Sequence, residues 1–336
     1  MNHPQIIDLL LEIGDAVCQH VYRSLQTQKV EQLSAVVEDA EEDTIYAIDR
    51  EVEDIILPML EAQASKLGGI YLIAEGMGEN GRILLPKGIG ENEAALRIIM
   101  DPIDGTRGIM YNKRSAFFLA AAAPNQPGEM YLQDLEVAVM TEIPTSKAYL
   151  SDAFFARRGK GAQARQKNLL TGEISPLSFR PSRSKTIIGG FAQIARFFPP
   201  GKALLAEIEE EMVLSLSEIQ PGKALVFEDQ YISSGGQLYE LLCGHDRFVA
   251  DLRTALYRRL EQQGTVTGLC CHPYDVCTAL IGEEAGIHIT DINGQSLNVP
   301  LNLTHSVDWI GYANVEIRQE VEPILQQIFR RLNWII

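Results

Sequence analysis

Apolar residues recur at helical spacing in some stretches of this chain and close into short unbroken runs in others, and that contrast predicts its elements. The N-terminal IIDLLLEIGDAVCQHVYRSL is amphipathic, and DTIYAIDREVEDIILPML carries Ile45, Ile48, Val52, Ile55 and Ile56 at helical intervals, so both predict helices. Asp49 lies beside the second stripe. Ile70–Ala74 and Leu96–Met100 are apolar runs of strand length, the first ending at Glu75 before a glycine-rich loop and the second at Asp101. Further on, Asp275 stands where an N-cap would, Val276–Ala285 is helical in pattern, Gly286 supplies a stop, IHIT reads as a strand and Asn293-Gly294 as a turn. Ser233–Gly244, SSGGQLYELLCG, reads as a serine-capped helix start. The polar stretch Arg165–Ser184 is expected to be irregular and divides residues 1–180 from residues 181–336. The PGK tripeptides at Pro200–Lys202 and Pro221–Lys223 lack phosphate-loop spacing and read as turns.

With 336 residues, 46% of them hydrophobic, the chain can bury a large core, as one α/β domain or as two packed lobes. Its net charge of −16 argues against a nucleic-acid partner, which needs a clustered basic face; Arg157-Arg158 and Arg258-Arg259 read as solvated. No apolar run is long enough to cross a bilayer, and the charged N-terminal segment is unlike a secretory leader. The expectation is a cytoplasmic protein without a membrane partner. The cysteines Cys18, Cys243, Cys270, Cys271 and Cys277 lack paired CxxC spacing and read as reduced, mostly buried thiols. His272 reads as a structural histidine.

The densest chemistry lies in DPIDGT, Asp101–Thr106. Pro102 presets a turn-compatible φ and Gly105 opens conformations closed to other residues, so Asp101 and Asp104 can converge. Hard oxygen ligands of this kind suit Mg²⁺, which takes one or two carboxylates together with substrate phosphate. The amides of Gly105 and Thr106 offer an anion nest, at the carboxyl end of a strand, where α/β sheets place ligands. Taken singly, Glu75 is equally a solvated loop residue, Asp275 is more often a cap, and Asp49 is most often solvated.

The order Asp49, Glu75, DPIDGT, then Tyr274-Asp275 followed by Glu284-Ala285-Gly286, resembles the inositol monophosphatase and fructose bisphosphatase superfamily of Mg²⁺-dependent, lithium-sensitive phosphatases over most of the chain. The resemblance implies an α+β or α/β layered sandwich of alternating helix and sheet layers, in two packed lobes, and a homodimer. It implies one metal on Glu75, Asp101 and the carbonyl of Ile103, and a second on Asp101, Asp104 and Asp275. Mg²⁺ is the expected ion, with Mn²⁺ as a substitute and Li⁺ as an inhibitor. Asp49, Glu75 and Thr106 are the implied catalytic residues, Thr106 and Asp49 orienting and deprotonating a water. Gly105, Thr106, Arg107, Ser233, Ser234 and Gly235 are the implied substrate contacts.

The chain also departs from the family pattern. Gly76 replaces the usual second loop glutamate, with Glu79 near enough to stand in, and Gly268 occupies the place of the inositol-contacting acid. The basic Arg107, Lys113 and Arg114 follow the threonine, so Arg107, helped by Lys113 or Arg114, is expected to select a substrate other than inositol monophosphate. The expected activity is phosphomonoester hydrolysis on a small phosphorylated metabolite of inositol-phosphate or sugar-phosphate type. The alternatives are a 3′(2′),5′-bisphosphate nucleotidase and an inactive metabolite-binding relative.

Overall fold

A computed structural model describes residues 1–28, 36–39, 44–78, 80–265 and 268–336. The described helices are α1 (His3–Thr27), α2 (Ala47–Ala64), α3 (Thr106–Met110), α4 (Lys202–Leu216), α5 (Ser234–Leu242), α6 (Arg253–Gln262), α7 (Ala279–Ala285) and α8 (Val315–Arg331). A short antiparallel pair, β1 (Val36–Asp39) and β2 (Thr44–Tyr46), precedes α2. The strands of the large sheet are β3 (Ile70–Ala74), β4 (Arg82–Leu85), β5 (Leu96–Asp104), β6 (Ala116–Pro124), β7 (Val137–Ile143), β8 (Leu150–Arg157), β9 (Ala162–Asn168) and β10 (Ile174–Pro176). They lie in the order β10-β9-β8-β7-β6-β5-β3-β4, and β3 runs parallel to β5. A second sheet joins β11 (Phe191–Ile194), β12 (Asp246–Asp251), β14 (Trp309–Tyr312) and β13 (His288–Thr290) in that order.

Strand alternation builds the layers. Along β6, Ala116, Phe118, Ala120 and Ala122 face one side and pack with Leu10, Val17, Val52 and Ile56 of α1 and α2. The intervening Phe117, Leu119, Ala121 and Ala123 face the other, against Leu238 and Leu241 of α5 and Leu280 of α7. Val249, Ile289 and Trp309 of the second sheet close the far side of that middle layer. The sheet's outer side, with Phe248, Ile310 and Tyr312, is covered by Leu205 and Met212 of α4, Leu256 of α6 and Val321 and Leu325 of α8. Both sheets are thus buried on two faces, in a helix, sheet, helix, sheet, helix stack. This is the expected layered fold.

Several local expectations change. The second predicted helix starts at Ala47, and Thr44–Tyr46 before it is extended. Ile48, Val52 and Ile56 are buried as the stripe requires, and Leu60 and Ala64 continue it. The stretch expected to be irregular from Arg165 carries the edge strands β9 and β10, which pair antiparallel through Ile174 and Lys167. The helix expected over Val276–Ala285 begins at Ala279 with Thr278 at its N-cap position, so Asp275 is not a cap. Gly286 ends that helix with φ 90°, in the left-handed region that favours glycine. The five cysteines are free thiols, and no described helix is long and apolar enough to cross a membrane.

Candidate active site

Asp101 and Asp104 stand three positions apart on β5, a spacing that places side chains on opposite faces of a regular strand. A register shift resolves this. Asp101 pairs with Leu119 and Asp104 with Phe117, so three steps on β5 match two on β6, as in a β-bulge. The extra residue turns both carboxylates to one side. Asp101 Oδ1 accepts the Ile103 amide at 2.9 Å, fixing the bend. Gly105, at φ 93°, then ends the strand and starts α3.

The third carboxylate comes from the other side of the middle layer. Asp275 lies in the turn before α7, where its Oδ2 accepts the His272 amide at 2.6 Å. One oxygen from each of Asp101, Asp104 and Asp275 lies within 4.8 Å of the others. Asp104 Oδ2 also accepts the Ser233 hydroxyl at 2.8 Å and the Gly235 amide at 2.5 Å, which ties β5 to the start of α5. Ser233 in turn caps that helix by accepting the Gly236 amide.

Burial pushes all three carboxyls upward. Asp101 is raised well above its ordinary range, first by desolvation and then by the charges of Glu75, Asp104 and Asp275. Asp275 is raised well above its ordinary range by burial and by Asp104. Asp104 is pushed up to about 6 by burial, against the lowering effect of the Gly235 amide and the Ser233 hydroxyl. Among the described residues, no lysine or arginine lies within ion-pairing distance of the three, and only the ring of His272 approaches Asp275, at 3.8 Å. Converging, desolvated carboxylates, offset only in part by the Arg253 charge acting on Asp104 and Asp275, suit a divalent metal.

The trio faces an open cleft whose walls include Asp49, Glu75, Gly105, Thr106, Arg107, Ser233 and Ser234. The Thr106 hydroxyl donates to the Ile103 carbonyl at 2.7 Å and lies 3.5 Å from Asp49 Oδ1. The structure therefore brings the predicted site residues together, with differences in what they touch. Gly235 spends its amide on the Asp104 carboxylate, so that amide is not offered to the cleft. Arg114 points away from the cleft into a pair with Asp229 at 2.6 Å, stacked 4.1 Å above the Tyr231 ring. Lys113 is exposed outside the cleft, which leaves Arg107 as the member of that basic trio in its wall. Glu79 lies outside the described residues.

Sequence reasoning missed a further stretch of wall. Phe197, Phe198, Ile232, Arg253 and Leu269 also line the cleft, with Tyr274 stacked on His272 at 5.2 Å. The sequence signal for Arg253 was weak, a DLR triplet at a strand end. Its buried guanidinium meets Asp251 through Nε at 2.9 Å and a terminal nitrogen at 2.5 Å, and donates to the Leu269 carbonyl at 2.9 Å.

The layered stack and the acidic centre at a strand end define the class, an α/β protein with a metal-competent carboxylate site between its sheets. More narrowly, the fold is shared with solved inositol monophosphatase and fructose-1,6-bisphosphatase structures. The chain is similar to the extragenic suppressor protein suhB of Bartonella henselae, at a TM-score of 0.64 and 18% identity over 96% of this chain and 99% of that one. Leishmania major fructose-1,6-bisphosphatase follows it at 0.63 and 14% identity, covering 96% and 94% of the two chains. The inositol monophosphatase of Anabaena matches at 0.57 and 14% identity, covering 97% and 96%. No family model and no curated protein matches the sequence.

Proposed function

We propose that the chain is a metal-dependent phosphomonoesterase acting on a small phosphorylated metabolite. The observation that carries this reading is the convergence of Asp101, Asp104 and Asp275 within 4.8 Å in the lining of an open cleft. Glu75, Asp101 and the Ile103 carbonyl would hold one Mg²⁺ or Mn²⁺, and Asp101, Asp104 and Asp275 a second. When bound, such ions polarise the phosphoryl oxygens and make water a competent nucleophile at neutral pH.

The chain's own residues supply the rest. Arg107 and the amides of Gly105 and Thr106 donate to the phosphate, orienting phosphorus toward the acidic centre. The Thr106 hydroxyl, set between Ile103 O and Asp49 Oδ1, orients the attacking water, and Asp49 Oδ1 receives its proton. Ser233 and Gly235 hold Asp104 in place. Arg107 in the cleft wall also keeps the bisphosphate nucleotidase reading in view, since a guanidinium can grip a second phosphate.

A phosphate-release screen tests the reading, using inositol phosphates, sugar mono- and bisphosphates, nucleotides and phosphoadenosine phosphate with Mg²⁺. Release from at least one ester, abolished by EDTA and inhibited more by Li⁺ than by equal Na⁺, is expected. Asp104→Asn should lower the rate by roughly 10²-fold or more. It should also diminish the rise in melting temperature that Mg²⁺ produces in the wild type without substrate. Full turnover in EDTA would overturn the mechanism. A metabolite-binding relative without activity would show the thermal shift and no release.

A further inference from the structure

The cleft lining is chemically mixed. Besides the acids and hydroxyls it includes the apolar Phe197, Phe198, Ile232 and Leu269, with His272 and Tyr274 as further polar groups. Ile232 remains 44% exposed there, a large aliphatic group left in water at the mouth of a polar site. The rings of Phe197 and Phe198 meet edge to face, with centroids 5.8 Å apart and planes at 69°. Against them lies the Arg253 guanidinium, 5.2 Å from the Phe197 centroid and 5.6 Å from that of Phe198.

Arg253 decides what this wall can read. Nε and one terminal nitrogen are bound to Asp251, which is fully buried, and the other terminal nitrogen donates to the Leu269 carbonyl. Every nitrogen of the guanidinium is thus engaged, and its charge is matched by Asp251. It braces the rings and is poorly placed to grip a second phosphate. A polyol laid against the wall would lose water from its hydroxyls and find few partners among Phe197, Phe198, Ile232 and Leu269. A flat aromatic ring carries no such penalty, because a ring face stacks on another ring.

We propose that Phe197 and Phe198, braced by Arg253, are specificity-determining residues for the alcohol side of the substrate, and that the wall takes a flat aromatic ring joined to the phosphate-bearing part. This rests on the phosphomonoesterase reading and narrows it. Ser233 is committed to Asp104, so it does not recruit the distal group. Phosphate is read on the Asp101 side and the ring on the phenylalanine side.

The test pairs adenosine 5′-monophosphate with ribose 5-phosphate, esters that differ only in the base, under saturating Mg²⁺. Wild-type kcat/KM should favour the nucleotide by about tenfold, the scale of one stacked base. Phe197→Leu and Phe198→Leu keep apolar bulk and remove the ring face, and each should shrink that preference at least threefold, mainly through KM for the nucleotide. Binding of unphosphorylated adenosine, followed by saturation-transfer NMR, should weaken in the same variants. Equal kcat/KM for the two esters in the wild type would overturn the proposal while leaving the phosphatase reading intact, as would variants that shift both esters alike. Adenosine binding that depends on Phe197 and Phe198, without phosphate release from any ester, would support the wall and overturn the phosphatase reading.

Discussion

Gly235 is the residue on which the carboxylate geometry rests most tightly. A Cβ built there would stand 2.9 Å from Asp104 Oδ2 and 2.7 Å from Leu119 Cδ2, while the amide beside it bonds that same oxygen. Glycine is required here by close approach, since its backbone needs no unusual φ. Gly235→Ala should therefore push Asp104 away from Asp101 and Asp275 and overpack β6, costing about 1–3 kcal/mol of stability. The Mg²⁺-dependent rise in melting temperature should shrink as well, and thermal melts with and without Mg²⁺ measure both effects. An unchanged Mg²⁺ shift would show that Asp104 tolerates the displacement. The glycines of SSGGQLYELLCG were visible in the sequence, but their purpose was not, because the partner of Gly235 lies 131 residues away.

At the level of elements, the first helix shows the same economy. Gly14 on α1 faces β7, and a Cβ there would come 2.5 Å from Thr141 Oγ1 and 2.9 Å from Phe118 Cδ1. Helix propensity favours Gly14→Ala by up to ~1 kcal/mol, and overpacking opposes it by about 1–3 kcal/mol. Contact at 2.5 Å, against side chains locked between helix and sheet, makes overpacking the larger effect. The variant should melt lower than wild type by differential scanning calorimetry, and a higher melting temperature would mean that α1 can lift from the sheet at little cost. Much of this framework was legible in the sequence. The apolar runs at Ile70–Ala74 and Leu96–Met100 are strands β3 and β5, and Ile48, Val52 and Ile56 form the buried stripe of α2. What escaped were features set by partners distant in the chain. The bulge that turns Asp101 and Asp104 to one side exists only in the register with β6, and the aromatic wall becomes a wall only when residues 197–198 meet Arg253. Taken singly, Asp275 read as a cap, because local pattern cannot tell a helix start from the turn preceding one; only the family resemblance set it among the metal ligands.

For the molecule as a whole, acidity and burial pull stability in the same direction. Glu142 on β7 accepts the Ser115 hydroxyl at 2.7 Å and the Asp152 amide at 3.3 Å, and burial pushes its carboxyl up to about 7. Asp246 and Asp308 are likewise raised to about 7, chiefly by burial. In the unfolded chain these acids return to their ordinary range, so the native state holds protons that the unfolded state has released. The stability linked to those protons is complete below the unfolded values and is lost as pH rises through about 7. For Glu142 alone the linkage is on the order of 3 kcal/mol. Self-repulsion in a chain of net charge −16 has the same sign, so a falling melting temperature between pH 5 and pH 8 would not by itself separate the two causes. Glu142→Gln does separate them, because glutamine mimics the protonated acid and changes the overall charge by only one unit. Its melting temperature should exceed that of the wild type by a margin that widens from pH 5 to pH 8. A margin independent of pH would show that Glu142 ionises in the native state at no cost, and would leave charge repulsion as the cause of the slope.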